Sequence, residues 1–143
     1  MILVDANLLV YAYSAGAREH ERARDWLDER LRGRGRVGLP WESIVAFLRV
    51  VTHPRLYTRP VTAETAWRQV AQWLSSPVAW VPQPTERHDE TLATLLALTR
   101  VAGPHVHDAH LAALALQHGL LLCSTDADFA RYPGLRWENP LAA

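Results

Sequence analysis

Ile2-Leu3-Val4-Asp5 is an unbroken apolar run that ends on an acid. A run of this length without alternation reads as a strand buried on both faces, the kind found in parallel sheets. It delivers Asp5 at its C-terminal end, where open α/β sheets build their sites. Working outward, helical and extended patterns alternate. Ala23, Trp26, Leu27 and Leu31 recur at helical spacing within residues 19–31, and Gly33 and Gly35 end the pattern. Val37 to Leu39 reads as a second strand. Pro40 suits the first turn of a helix whose apolar face is Ile44, Val45, Leu48 and Val51, ending before Pro54.

Thr62 caps a helix through Ser75 carrying Ala66, Val70, Trp73 and Leu74, and Val78 to Val81 is a third strand. Thr85 opens a helix bearing Leu92, Leu95 and Leu96. A helix from His107 to His118 presents Leu111, Ala112, Ala115 and Leu116 on one face and closes at Gly119. Leu120 to Cys123 is again a buried strand. Thr125 caps a short helical turn from Asp126, and Arg136-Trp137 forms an edge strand before Pro140. This order predicts an α/β fold, one domain over residues 1–143, with a short parallel sheet of about four or five strands flanked by helices.

At 143 residues all functional groups come from one core, and an apolar fraction of 49% with six Trp is enough to build it. Asp5 and Asn7 interrupt the apolar N-terminal stretch, and no basic residue precedes it, which argues against an export signal. Cys123 is the only cysteine, and no apolar run approaches the roughly 20 residues needed to span a bilayer, so a cytoplasmic, membrane-free protein is expected. Fifteen basic and fifteen acidic residues cancel, which excludes a protein that coats nucleic acid through a strongly positive surface. Every basic residue is Arg. That disfavours the Mg-dependent phosphatase reading, since receiver and haloacid-dehalogenase-type domains use a lysine on the phosphoryl group.

Four acids sit where a strand ends or a helix begins: Asp5, Glu42, Asp108 and Asp126. Taken singly, an acid at a helix start is a cap or dipole partner worth about 0.3 to 1 kcal/mol. Strand C-termini of a parallel sheet share one edge with the helix N-termini that follow, so the four are expected to converge. Crowded carboxylates repel, and a hard divalent cation, Mg²⁺ or Mn²⁺, resolves the repulsion and binds phosphates.

VDANLLVYAY (residues 4–13), WESIVAFLRVVTHPR (41–55), VHDAHLAALALQHG (106–119) and STDADFARYPGLRWENPL (124–141), in this order, resemble the PIN-domain family, in particular the VapC-type toxins of bacterial toxin–antitoxin pairs. The resemblance covers nearly the whole chain. It implies a Mg²⁺- or Mn²⁺-dependent endoribonuclease that hydrolyses RNA with metal-activated water, is inhibited by a cognate antitoxin and forms a homodimer. It also implies that Asp5 and Asp108 are the principal metal ligands, with Glu42 and Asp126 completing the acidic pocket. Asn7 is a supporting candidate, Asp128 a helper acid or a plain surface residue with surface preferred, and Ser124 and Thr125 possible hydrogen-bond donors to a metal water or phosphate. His107 departs from the family, which usually has a small hydroxyl residue there.

Two further features invite other readings. HVHDAH, residues 105–110, is similar to zinc-hydrolase motifs, but only His107 and His110 share a helix face, so His105 and His107 are read as turn residues and His110 as helix surface. A non-catalytic RNA- or partner-binding module would use tryptophans such as Trp67, Trp73 and Trp80 as a groove; Trp26 and Trp73 suit the core, whereas Trp41 and Trp67 suit a dimer or antitoxin surface. Arg32, Arg34 and Arg36 have acids nearby to pair with, which leaves Arg49 and Arg55 as RNA-binding candidates.

Overall fold

Strand β1 (Ile2–Val4) pairs in parallel on both sides, with β2 (Val37–Gly38) and with β4 (Leu121–Cys123). Strands β3 (Ala79–Trp80) and β5 (Trp137–Glu138) take the edges, so the order is β3-β2-β1-β4-β5. The structure is a computed structural model and describes residues 1–142; Ala143, the last residue of the expected domain, lies outside the described residues. Among these the helices are α1 (Ala6–Tyr13), α2 (His20–Arg32), α3 (Trp41–Thr52), α4 (Ala63–Leu74), α5 (His88–Thr99) and α6 (His105–His118), with a 3-10 helix over Ala127–Arg131. None is long and apolar enough to cross a membrane.

Side chains alternate along β1, so Ile2 and Val4 face one layer and Leu3 the other. Ile2 and Val4 pack with Leu8 and Leu9 of α1, Leu27 of α2, Phe47 of α3 and Val70 of α4. Leu3 packs with Leu95 of α5, Leu114 of α6, Leu122 and Phe129. The sheet thus separates α1–α4 from α5–α6, each fully buried Leu or Phe contributing about 1.5 to 3 kcal/mol. From β1 the chain moves outward through β2 to β3, then crosses back by α5 and α6 to β4 on the other side of β1 and moves outward again to β5. The crevice at that reversal is where such sheets carry sites.

Several local expectations change. Helix α1 follows β1 without a loop, because the Asp5 carboxylate accepts the Ala6 N–H at 2.8 Å and caps it. The apolar run through Tyr13 hides this boundary. On α3 the inward positions are Ile44, Phe47 and Val51, while Val45 is 57% exposed. Helix α5 starts at His88, later than Thr85; the Thr85 amide and hydroxyl both donate to Gln117 Oε1 instead. His105 and His107 both lie in the first turn of α6 rather than in a turn before it. Asp126, not Thr125, caps the 3-10 helix, accepting the Asp128 N–H at 2.9 Å. Thr62 does cap α4, through the Thr65 N–H.

The tryptophans do not form one groove. Trp73 is core and Trp26 packs at its margin. Trp80 lies under the Arg36 guanidinium, 4.1 Å from the ring centroid. Trp41 and Trp67 are exposed and stacked, with centroids 6.4 Å apart and planes within 8° of parallel.

Gly119 ends α6 at φ +64°, and a Cβ there would meet nothing within 4 Å. A substitution is therefore penalised only by the left-handed backbone. Gly119→Ala is expected to lower stability by about 1 to 2 kcal/mol, read as a lower urea midpoint with an unchanged slope.

Candidate active site

The register of β1 and β4 builds the site. Val4 lies opposite Cys123, and the Asp5 N–H donates to the Cys123 carbonyl at 3.0 Å, which sets residue 124 beside residue 5. Ser124 is fully buried. Its Oγ donates to Asp5 Oδ2 at 2.7 Å and accepts from Asn7 Nδ2 at 3.1 Å and from the Asp126 N–H at 3.0 Å. One hydroxyl thus joins the acid after β1 to the acid after β4. Asn7 adds a long contact, its Oδ1 accepting the Thr125 N–H at 3.5 Å.

Asp108 arrives from the other layer. Helix α6 turns at Gly119 and runs antiparallel to β4, so its start lies at the edge where β4 ends. His105 Nδ1 stands 3.3 Å from Asp108 Oδ2, and the Tyr132 hydroxyl donates to the His105 carbonyl at 3.2 Å. Burial raises the Asp5 carboxyl above its ordinary value; the Ser124 and Ala6 donations oppose this, and the charges of Asp108 and Asp126 raise it further. Burial likewise raises Asp108, opposed by His105 and reinforced by Asp126. Burial, with Asp108 adding to it, pushes the Tyr132 phenol up to about 12. Three aspartates therefore share one field.

Glu42 reaches the same edge by another tie. The buried Ser43 Oγ donates to the Val4 carbonyl at 2.6 Å and pins the start of α3 to the end of β1. The partner of Glu42 is His110, with Nε2 3.0 Å from Oε1. That donation holds the Glu42 carboxyl below its ordinary value, against the opposing effect of burial. The structure thus groups Asp5, Asp108 and Asp126 by their mutual fields and sets Glu42 beside His110. His110, expected on the helix surface, is only a quarter exposed. Nothing in the spacing of residues 105–110 reveals its partners, because they come from α3 and α5.

Asp128 is an exposed acid whose Oδ1 lies 3.4 Å from the Arg131 guanidinium. Arg131 in turn is the cation that offsets the field at Asp108; neighbouring acids gave no cue to it in the sequence. Arg49 and Arg55 are exposed and, among the described residues, unpaired. Arg49 lies seven residues beyond Glu42 on the same face of α3, about 10 Å along its axis.

Among the described residues no three His, Cys, Asp or Glu side chains gather closely enough to ligate one ion unaided. His105 and His110 face different acids, so HVHDAH does not make a zinc site. The cluster offers hard carboxylate oxygens, and a hard divalent cation completed by water fits that donor set.

Both raised carboxyls carry a pH signature in metal-free protein. An acid whose folded pKa lies above its unfolded value destabilises the fold at higher pH; the penalty shrinks as pH falls below the folded value and is gone below the unfolded one. Lowering pH from neutral toward the ordinary carboxylate range should therefore raise this pair's contribution to stability. Thermal unfolding of Asp5→Asn should show a smaller gain over that range than the wild type.

The PIN domain family matches residues 2–135. Ribonuclease VapC37 of Mycobacterium tuberculosis is 43% identical over 142 residues, covering 99% of both chains. Two solved structures share the fold at low identity. The sarcin-ricin loop cleaving toxin VapC20 of Mycobacterium tuberculosis aligns with TM-score 0.68 at 18% identity, over 95% of this chain and 99% of that one. VapBC2 of Rickettsia felis, bound to a DNA fragment from its promoter, aligns with TM-score 0.68 at 16% identity, over 97% and 98%.

Proposed function

Because the chain belongs to the PIN-domain family, we propose that it is a metal-dependent endoribonuclease acting in the cytoplasm as the toxin of a toxin–antitoxin pair. The observation that carries this reading is the buried Ser124 hydroxyl, which locks Asp5 to the Asp126 segment at the edge where Asp108 also arrives. Asp5 and Asp108 would hold Mg²⁺ or Mn²⁺, with Asp126 and Glu42 secondary. The bound cation supplies an activated water and neutralises charge on the phosphoryl oxygens.

Ser124 is not the nucleophile. Its proton is committed to Asp5 and its lone pairs to Asn7 and the Asp126 amide, so the hydroxyl has nothing left for a phosphorus centre. Hydrolysis then needs no covalent intermediate and leaves 5′-phosphate products. Asn7 and Thr125 support the pocket floor, Thr125 through its amide, while Asp128 orients Arg131. Arg49 and Arg55, exposed on the surface, would hold RNA phosphates. The homology to VapC ribonucleases supports RNA as substrate and a cognate antitoxin as partner, and we assign the domain to residues 1–143 of a homodimer.

The test is cleavage of a structured RNA panel with Mg²⁺, Mn²⁺ or EDTA. The wild type should cut with either metal and stop in EDTA, and Asp108→Ala should lose about 100-fold or more. Cutting that is insensitive to Asp108→Ala would falsify the site. The exposed Trp41–Trp67 stack favours one rival, a partner- or RNA-binding module; a folded protein that retains RNA yet never cuts would decide for it.

A further inference from the structure

A line of five polar side chains runs from the segment before α5 to Glu42. The Thr85 N–H and hydroxyl donate to Gln117 Oε1 at 2.9 and 3.0 Å. That fixes the amide, because a flipped Gln117 would set its NH₂ against the Thr85 N–H. Gln117 Nε2 therefore donates to His88 Nδ1. With Nδ1 accepting, His88 carries its proton on Nε2 and donates to His110 Nδ1 at 2.9 Å. The same logic places the His110 proton on Nε2, facing Glu42 Oε1 at 3.0 Å. The two rings meet edge to face, with centroids 4.8 Å apart. Every direction in the line is set by the one before it.

The line also crosses the molecule. His88 and Gln117 belong to α5 and α6, in the layer on one face of the sheet, and Glu42 to α3 in the layer on the other. A free Glu side chain loses rotamer freedom when immobilised; here that cost is met on folding. A neutral imidazole also does this without adding a fixed positive charge beside the aspartates, as Arg would.

We propose that His110, held in a single tautomer by His88 and Gln117, is a positioning residue that fixes the Glu42 carboxylate for the divalent-ion site. This rests on the functional reading above, in which Glu42 serves that site. It assigns a role to His88 of α5 and to His110 and Gln117 of α6, none of them an acid of the pocket.

The test uses the full chain and Mn²⁺ alone as the probe, so it does not depend on RNA cleavage. Calorimetric titration should show His110→Ala weakening Mn²⁺ binding by about 10- to 100-fold, the range for partners that orient ligating carboxylates. His110→Gln should restore binding to within a few fold, since its amide can accept from His88 and donate to Glu42. Wild-type affinity in His110→Ala, or no recovery in a folded His110→Gln, overturns the proposal. In metal-free wild type at about pH 8, above the ordinary imidazole range, long-range ¹H–¹⁵N correlations should show both rings protonated on Nε2. A His110 protonated on Nδ1 overturns it. Failure of the wild type to cut RNA would instead overturn the functional reading, leaving these two measurements to decide the relay.

Discussion

Asp5→Asn should abolish metal-dependent RNA cleavage, by more than about 100-fold, and leave the protein folded. The loss exceeds the 10- to 100-fold expected for removing a group that merely orients a ligand, because under the proposed assignment the substitution removes a ligand charge itself. Survival of the fold follows from what Asp5 does locally. An Asn oxygen can still accept the Ala6 N–H at the start of α1, where Asn caps as well as Asp. Neutralising the group relieves its burial and its repulsion by Asp108 and Asp126, whereas the amide fits poorly against the Ser124 hydroxyl. These effects oppose, so the metal-free melting temperature should stay within about 4 °C of the wild type. The decisive contrast is a melt with saturating Mn²⁺. The wild type should gain about 2.7 kcal/mol at a hundredfold excess over Kd, and the variant almost nothing. A variant that cuts, or is stabilised like the wild type, sinks the assignment of Asp5.

Ser124→Ala should harm both stability and activity. It strips an acceptor from Asn7 Nδ2 and the Asp126 N–H and a donor from Asp5 Oδ2, all part-buried. Groups left unpaired in this way cost about 1 to 3 kcal/mol, measurable as a lower urea midpoint. Activity should fall about 10- to 100-fold. The Ser124 donation lowers the Asp5 carboxyl, so its loss raises that value further, and the acid limb of cleavage against pH should move to higher pH. A simple packing defect would leave that limb in place.

The sheet was legible because its strands are short unbroken apolar runs, and residues 2–4 and 121–123 announce themselves without partners. Residues 6–13 did not, since an apolar helix that begins on the residue after the strand offers no change of composition. Val45 was misplaced for a related reason: on a helix as apolar as α3, only packing against the rest of the fold selects Phe47 as the inward residue. The acids stood out by position at strand ends and helix starts. What spacing could not supply was pairing. That Ser124 rather than Thr125 connects the acids depends on the β1–β4 register, and that His110 turns to Glu42 depends on two helices from opposite layers.

The central place of β1 also dictates when the acidic cluster can assemble. Its first residues lie between strands contributed by positions 37–38 and 121–123, and Asp5 acquires its Ser124 partner only when the latter dock. These are pairings of long sequence separation, which form late. During synthesis the N-terminal half emerges with Asp5 and Glu42 already present, but Asp108, Ser124 and Asp126 are still being added. A chain with this strand order lacks the Asp5–Ser124 pairing until residues 121–124 have emerged and docked beside β1.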